Sequence, residues 1–168
     1  MKHPKIAIKV KNYGTMTAEL YPEYAPKTVE NFVALAEKDF FAGLIFHRVI
    51  RGFMIQGGGY TAEFDSRETA SIRGEFKANG YMENTLRHTR GVLSMARTSD
   101  PDSASSQFFV MHADAPHLDG QYAGFGKLID GFDVLDKIAT TKTGSIGFYM
   151  QDVPRETIEI ETIEILPE

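Results

Sequence analysis

A chain of 168 residues that is 42% hydrophobic has room for one globular core and not for two comfortable ones, so a single domain over residues 1–168 is expected. Its net charge of -5 removes the attraction that draws proteins to phosphate backbones and anionic bilayers, and neither nucleic acid nor membrane is an expected partner. With no cysteine there is no disulfide framework and no thiolate metal ligand, and no apolar run has the length of a signal peptide or a membrane span; the expectation is a cytoplasmic monomer.

Ile6, Ile8 and Val10 alternate with Ala7, Lys9 and Lys11, then Asn12-Tyr13-Gly14 marks a turn before a second alternating run through Met16, Ala18 and Leu20. This predicts an N-terminal β-hairpin. Pro26 suits a first helical turn, and Val29, Phe32, Val33 and Ala36 follow at helical spacing, predicting a helix over 26–39 with Gly43 stopping the pattern. Short apolar blocks come next: LIFHRVI, GFMIQGGG, GVLSMA, QFFVMH and YAGFGKLI, each bounded by turn residues and each read as strand. Between them, residues 61–90 form a long polar stretch, a length that in a compact domain points to function or disorder. Val134, Leu135 and Ile138 place a second helix over 132–139, followed by a loop at 140–147. In the final TIEIETIEI, Ile158 and Ile160 have one parity and Ile163 and Ile165 the other, which predicts a break or bulge near Glu161 and Thr162. Two helices and roughly eight strands point to a mainly β fold, a closed barrel with helical caps.

Much chemistry is absent. The five histidines, His3, His47, His88, His112 and His117, lack HExxH or other helical ligand spacing, so no metal or other cofactor is expected. Gly57-Gly58-Gly59 and Gly124-Phe125-Gly126-Lys127 lack the phosphate-cradling spacings and read as turns and bulges. Ser94 has no GxSxG elbow, Ser103, Ser105 and Ser106 have no evident base, and the carboxylates of the last strand read as its solvated face.

The segment FHRVIRGFMIQGGG is harder to dismiss. Strand alternation puts Phe46, Arg48 and Ile50 on one face, and on the following strand Phe53 with Ile55 and Met54 with Gln56. An arginine on an otherwise apolar strand needs a reason, because its charge is costly to bury unpaired. This segment and the later GVLSMA, SQFF and LDGQYAGFG blocks resemble, in order, the blocks of the cyclophilin family, and PKTVENFVALA resembles its first helix. The similarity runs from about Ile6 to Ile165.

The resemblance implies a closed eight-stranded antiparallel β-barrel capped by two helices, with a peptidyl-prolyl isomerase groove outside the barrel. It implies Arg48 as the catalytic arginine, with Gln56 and Phe53 beside it. Met54, Phe109 and Leu118 would complete the proline cradle and Tyr122 close it. Ala96, Arg97 and Thr98 would meet the substrate main chain, Gln107 would help position it, and His117 would stand at the rim. On pattern alone, Phe53, Met54, Phe109 and Leu118 read as barrel core; Phe32, Val33, Phe46, Leu93, Met95 and Phe125 keep that reading, and His47 and His112 read as structural. The expected partners are proline-containing peptides and folding proteins. A binding module without turnover and a chaperone that grips apolar segments are the competing readings.

The sequence also departs from the family pattern. His117 stands where many members carry tryptophan, which implies reduced affinity for cyclosporin, and Tyr122 stands where many carry histidine. Residues 62–70 read AEFDSRETA where many relatives are glycine-rich. A slightly longer 97–105 loop is expected to bring Arg97, Asp100 and Asp102 to the groove.

Overall fold

The structure is a computed structural model that describes residues 3–147 and 150–167. The expected hairpin is β1 (Lys5–Val10) and β2 (Gly14–Leu20), paired antiparallel, with Asn12 and Gly14 taking the positive φ angles of the turn. Next come α1 (Pro26–Glu37), β3 (Arg48–Ile50), β4 (Met54–Gly57), β5 (Val92–Met95), β6 (Phe108–Met111), β7 (Gly124–Asp130) and α2 (Phe132–Ala139). The chain ends in β8 (Thr143–Ile146), β9 (Met150–Pro154) and β10 (Ile160–Ile165). Eight strands form one curled antiparallel sheet in the order β10-β1-β2-β7-β5-β6-β4-β3, and β8 and β9 form a separate pair. Outside the strand pairs, Gly43 N–H donates to Ile160 O at 2.9 Å, Ile160 N–H to Leu44 O at 2.7 Å and Phe46 N–H to Ile158 O at 2.9 Å, linking the segments that lead into the two edge strands.

The bulge is where parity requires it. Lys9 faces Thr162 but Val10 faces Ile160, so Glu161 is the extra residue, and Ile158, Ile160 and Ile163 are all buried.

Three expectations need correction. Helix α1 ends at Glu37, because Asp39 already takes the left-handed conformation (φ 57°). Asp39 N–H then donates to Ala36 O and Phe40 N–H to Leu35 O, both at 3.0 Å, which is the Schellman pattern without its usual glycine. Residues 140–147 are not all loop, since Thr143–Ile146 is β8; half exposed and with Ile146 its one apolar side chain, it carries no alternating apolar signal. The parity assignments around Arg48 hold for Met54 with Gln56, which line one cavity, and for Ile50, which packs on the outer cluster, but fail for Phe46 and for Phe53 with Ile55. Phe46 precedes β3 and enters the inner core, while Arg48 is exposed; Ile55 is in the inner core, while Phe53, in the turn before β4, packs beside Met54 on the outside.

The inner core gathers Phe32 of α1 against Phe41, Phe108 and Phe125, with ring centroids 4.9 to 5.4 Å apart. The long stretch 61–90 is fastened to this body at several points. Arg67 Nη1 donates to Phe40 O and Ala42 O. Glu75, 3% exposed, accepts from Thr28 N–H and Oγ1–H, both at 2.7 Å, and from Lys27 N–H at 3.2 Å. That carboxylate supplies the cap that Ala25 cannot, at the positive end of the α1 dipole. Asn84 donates both to Glu75 O and to Gly124 O at 2.9 Å.

Candidate active site

Strands β4, β5 and β6 expose two faces with different contents. Ile55, Leu93, Met95, Phe108 and Val110 point into the inner core, whereas Met54, Val92, Phe109 and Met111 form a second apolar cluster outside it with Leu118. Phe53 and Tyr122 pack against this outer cluster.

Arg48 and Gln56 face each other across β3 and β4. Arg48 Nη1 donates to Gln56 Oε1 at 3.2 Å, and Gln56 Nε2 donates to Gln107 Oε1 at 3.0 Å, so the two amides hold the guanidinium in a fixed orientation. Gln107 is itself confined: a Cβ on Gly59 would lie 2.6 Å from its Nε2, so any side chain at 59 would displace it. This close approach gives the third glycine of QGGG a purpose beyond turning the chain.

A cavity of about 130 Å³ is lined by Arg48 and Gln56 on one side and by Phe53, Met54, Phe109, Leu118 and Tyr122 on the other, with Ala96 and Arg97 at its edge. Nine of the twelve residues expected at the site therefore meet in one place. Thr98 and Gln107 line an adjoining cavity of about 140 Å³ that shares Gln56, Ala96 and Arg97 with the first. His117 lines neither; it is exposed and stacks on Phe53 at 6.0 Å. Beyond Arg48 the groove continues into a space of about 340 Å³ between His47, Tyr60 and the start of β9.

The surroundings hold these walls in place. Tyr122 meets Phe109 edge-on at 5.7 Å. The Arg97 guanidinium lies between the rings of Phe76 and Tyr122, 4.8 and 4.7 Å from their centroids, and donates to Gln121 O at 2.7 Å and Thr98 O at 2.9 Å. Behind Phe109, His88 stacks at 6.1 Å, with Nε2 2.8 Å from Ser94 Oγ and Nδ1 3.1 Å from Asp119 Oδ1. Burial pushes its pKa down against the pull of Asp119, which favours the neutral ring. His47, 7% exposed, is pushed down to about 4 by burial and the Arg48 charge, and its Nδ1 has no hydrogen-bond partner among the described residues.

The expectation for the 97–105 loop holds only for Arg97. Asp102 turns away and accepts from Gly74 N–H at 3.0 Å and Asn79 Nδ2–H at 2.9 Å, which hold its carboxyl below the usual range. Asp100 accepts from Asp102 N–H within the loop, and neither aspartate lines the groove. Phe76 and His88 were not legible as supports, because nothing in their neighbouring residues sets them apart; the length of the 61–90 stretch was the only signal. Among the described residues no group of three or more histidines and carboxylates is placed to hold a metal ion.

The family model described as cyclophilin type peptidyl-prolyl cis-trans isomerase/CLD matches residues 5–165. The chain belongs to that family. A peptidyl-prolyl cis-trans isomerase of Acinetobacter baylyi is 44% identical over 159 residues, covering 92% of this chain and 81% of that protein. Peptidyl-prolyl cis-trans isomerase B of Escherichia coli is 40% identical over 163 residues, covering 92% and 95%. A solved cyclophilin type isomerase from Cryptosporidium parvum superposes with a TM-score of 0.80 at 32% identity over 99% of both chains. A second structure of that protein, in the presence of the dipeptide Ala-Pro, gives 0.78 at 34% identity over 98% of this chain and 99% of that one. This cyclophilin is thus a peptidyl-prolyl cis-trans isomerase, and its fold is the curled, mainly β architecture of its relatives. Among its described residues no helix is long and apolar enough to cross a membrane.

Proposed function

We propose that this cyclophilin turns X-Pro bonds in the Arg48 groove, with the proline ring against Phe53, Met54, Phe109 and Leu118 and with Tyr122 at the side. The amide resists rotation because resonance gives it double-bond character, with a barrier of about 18–20 kcal/mol. Twisting it localises a lone pair on the prolyl nitrogen. A donor aimed there binds the twisted state better than either planar isomer, and no covalent bond breaks. Arg48 is that donor. The observation that carries the assignment is the Arg48 guanidinium, held by Gln56 across a cavity from the wall of Phe53, Met54, Phe109, Leu118 and Tyr122.

Gln56 and Gln107 orient Arg48 and the substrate backbone, and the main chain of Ala96, Arg97 and Thr98 meets the residues beside the proline. An apolar cradle also favours the less dipolar twisted amide, and each 1.4 kcal/mol or so of such preference gives about tenfold in rate. The natural substrates on this reading are proline-containing segments of folding proteins, met in the cytoplasm by a monomeric single domain. The bonds between residues 43–46 and 158–160 support a sheet closed into a barrel, a scaffold rigid enough to keep the groove's two walls in register. His117, exposed at the rim, supports a reduced affinity for cyclosporin.

Exchange spectroscopy on a proline peptide, with and without the protein, tests the assignment because it reports turnover and binding together. Catalysed exchange by the parent that is lost in Arg48→Ala is the expected result. An alanine variant that binds the peptide and exchanges it at the parent rate removes Arg48 from the mechanism.

A further inference from the structure

Phe53, the one cradle residue carried by a turn, is held in place by a side chain outside the cavity. The turn between β3 and β4 runs through Arg51, Gly52 and Phe53, with Phe53 N–H donating to Ile50 O at 3.0 Å. Gly52 supplies the positive φ of 77° that such a short connection needs. By itself this is an exposed loop tip with little to fix it.

His112, just past the end of β6, takes hold of the turn from both sides of its own Cα. Its ring Nδ1 accepts from Gly52 N–H at 2.8 Å, and its backbone N–H donates to Phe53 O at 2.9 Å. An Nδ1 that accepts from an amide carries no proton, so the proton of the neutral ring is on Nε2. Nε2 lies 3.1 Å from Asp136 Oδ1 on α2, and it donates there. Asp136 is gripped in turn by Arg90, whose Nη1 and Nη2 donate to its two oxygens at 2.7 and 2.9 Å. Arg90 Nη1 also donates to His112 O at 3.1 Å, which fixes the peptide after His112, and Arg90 N–H donates to the Asp114 side chain at 2.8 Å, which ties down the same segment two residues on. The result is one line of directed bonds from α2, through Asp136 and His112, to the amide that precedes Phe53.

We infer that His112 is a positioning residue for the isomerase site, and that Asp136 sets its tautomer so that Nδ1 can hold the Phe53 turn. This rests on the reading of Phe53 as part of the proline cradle. It also gives α2 a part in the active site. The arrangement resembles the way a carboxylate orients a histidine at metal and triad sites, here applied to a backbone amide.

The test compares three variants with the parent for affinity toward an Ala-Pro-containing peptide, exchange rate at saturation, hydrogen exchange of the Gly52 amide and melting temperature. In His112→Asn the side-chain oxygen can occupy the place of Nδ1 and accept from Gly52. In His112→Gln the amide reaches toward Asp136 but leaves Gly52 without its acceptor. Losing one such bond weakens affinity roughly three- to tenfold, and kcat/KM falls through KM far more than through kcat. The expected pattern is that weakening, with faster Gly52 exchange, in His112→Gln and recovery of both in His112→Asn. Asp136→Ala, which leaves the ring free to place its proton on Nδ1, moves both readouts in the same direction by about twofold. Parent-like affinity in His112→Gln overturns the inference, and so does an asparagine variant as impaired as the glutamine one. So too does a melting temperature that falls in step with affinity in every variant. If His112→Gln does not fold, the Asp136→Ala result decides alone, and unchanged affinity there is equally fatal. Arg48→Ala, run in parallel, separates the two readings: its exchange at the parent rate would sink the assignment of the site, whatever the His112 variants do.

Discussion

Phe108 and Phe109 are neighbours on one strand, both almost wholly buried, yet they belong to different structures within the molecule. Phe108 packs with Phe32, Phe41 and Phe46 inside the curled sheet; Phe109 faces outward, between His88 and Tyr122, and lines the cavity beside Arg48. The two-residue period of a strand thus divides stability from function at the finest possible interval. Burial alone does not tell them apart, since Met54, at 2% exposure, belongs to the site and Met95, also at 2%, to the inner core.

The sharpest way to break this division is to truncate each phenylalanine. Phe108→Ala leaves a cavity among packed aromatic rings and is expected to cost about 3–5 kcal/mol of stability, read by denaturant unfolding. Next in size is Arg48→Ala, whose loss of a transition-state donor is expected to slow exchange by about 100-fold or more with an unchanged thermal melt. Arg48→Lys falls close to alanine, because it keeps the charge but loses the planar fork. Phe109→Ala is expected to weaken peptide affinity by about tenfold or more while destabilising less than Phe108→Ala; equal stability losses with unaltered affinity would abolish the distinction.

A pH series sharpens the same comparison. His47 is neutral in the folded state down to about 4, while an unfolded histidine protonates near 6.5. Protonation therefore favours unfolding, and stability is expected to decline as pH falls from 6.5 toward about 4, with His88 adding in the same direction. A His47→Gln variant should show a shallower decline in that window, measured by denaturant titration at several pH values. The smallest change lies at the rim. His117→Trp supplies an indole donor and a larger apolar face beside Phe53, so cyclosporin is expected to bind more tightly while proline-peptide turnover stays as it is. Titration of both proteins with the drug is the check.

What the sequence revealed followed from periodicity wherever one face meets a core. The β1–β2 hairpin, the limits of α2 and the bulge at Glu161 were legible because a parity or a 3.6-residue spacing had to be satisfied. The pair β8 and β9 was invisible, since polar strands outside the main sheet carry no such spacing. The end of α1 was misplaced because an aspartate, Asp39, took the conformation that glycine usually supplies. At the site, ordered motifs located Arg48, Gln56 and the apolar walls. They could not reveal that Arg97 is wedged between Phe76 and Tyr122 or that His112 holds the turn beneath Phe53, because these contacts join residues 20 to 60 positions apart.

The fastening of the 61–90 stretch bears on how the chain withstands being cut. Met82, 65% exposed, lies between two anchors, Glu75 on the first turn of α1 and Asn84 on Gly124. A protease that nicks the backbone at this point leaves each new end tied within a few residues to the body, and both fragments still contribute strands to the same sheet. The nicked molecule is expected to elute as one species and to separate into two only in denaturant, with the Arg48 groove still occupied by peptide before that separation.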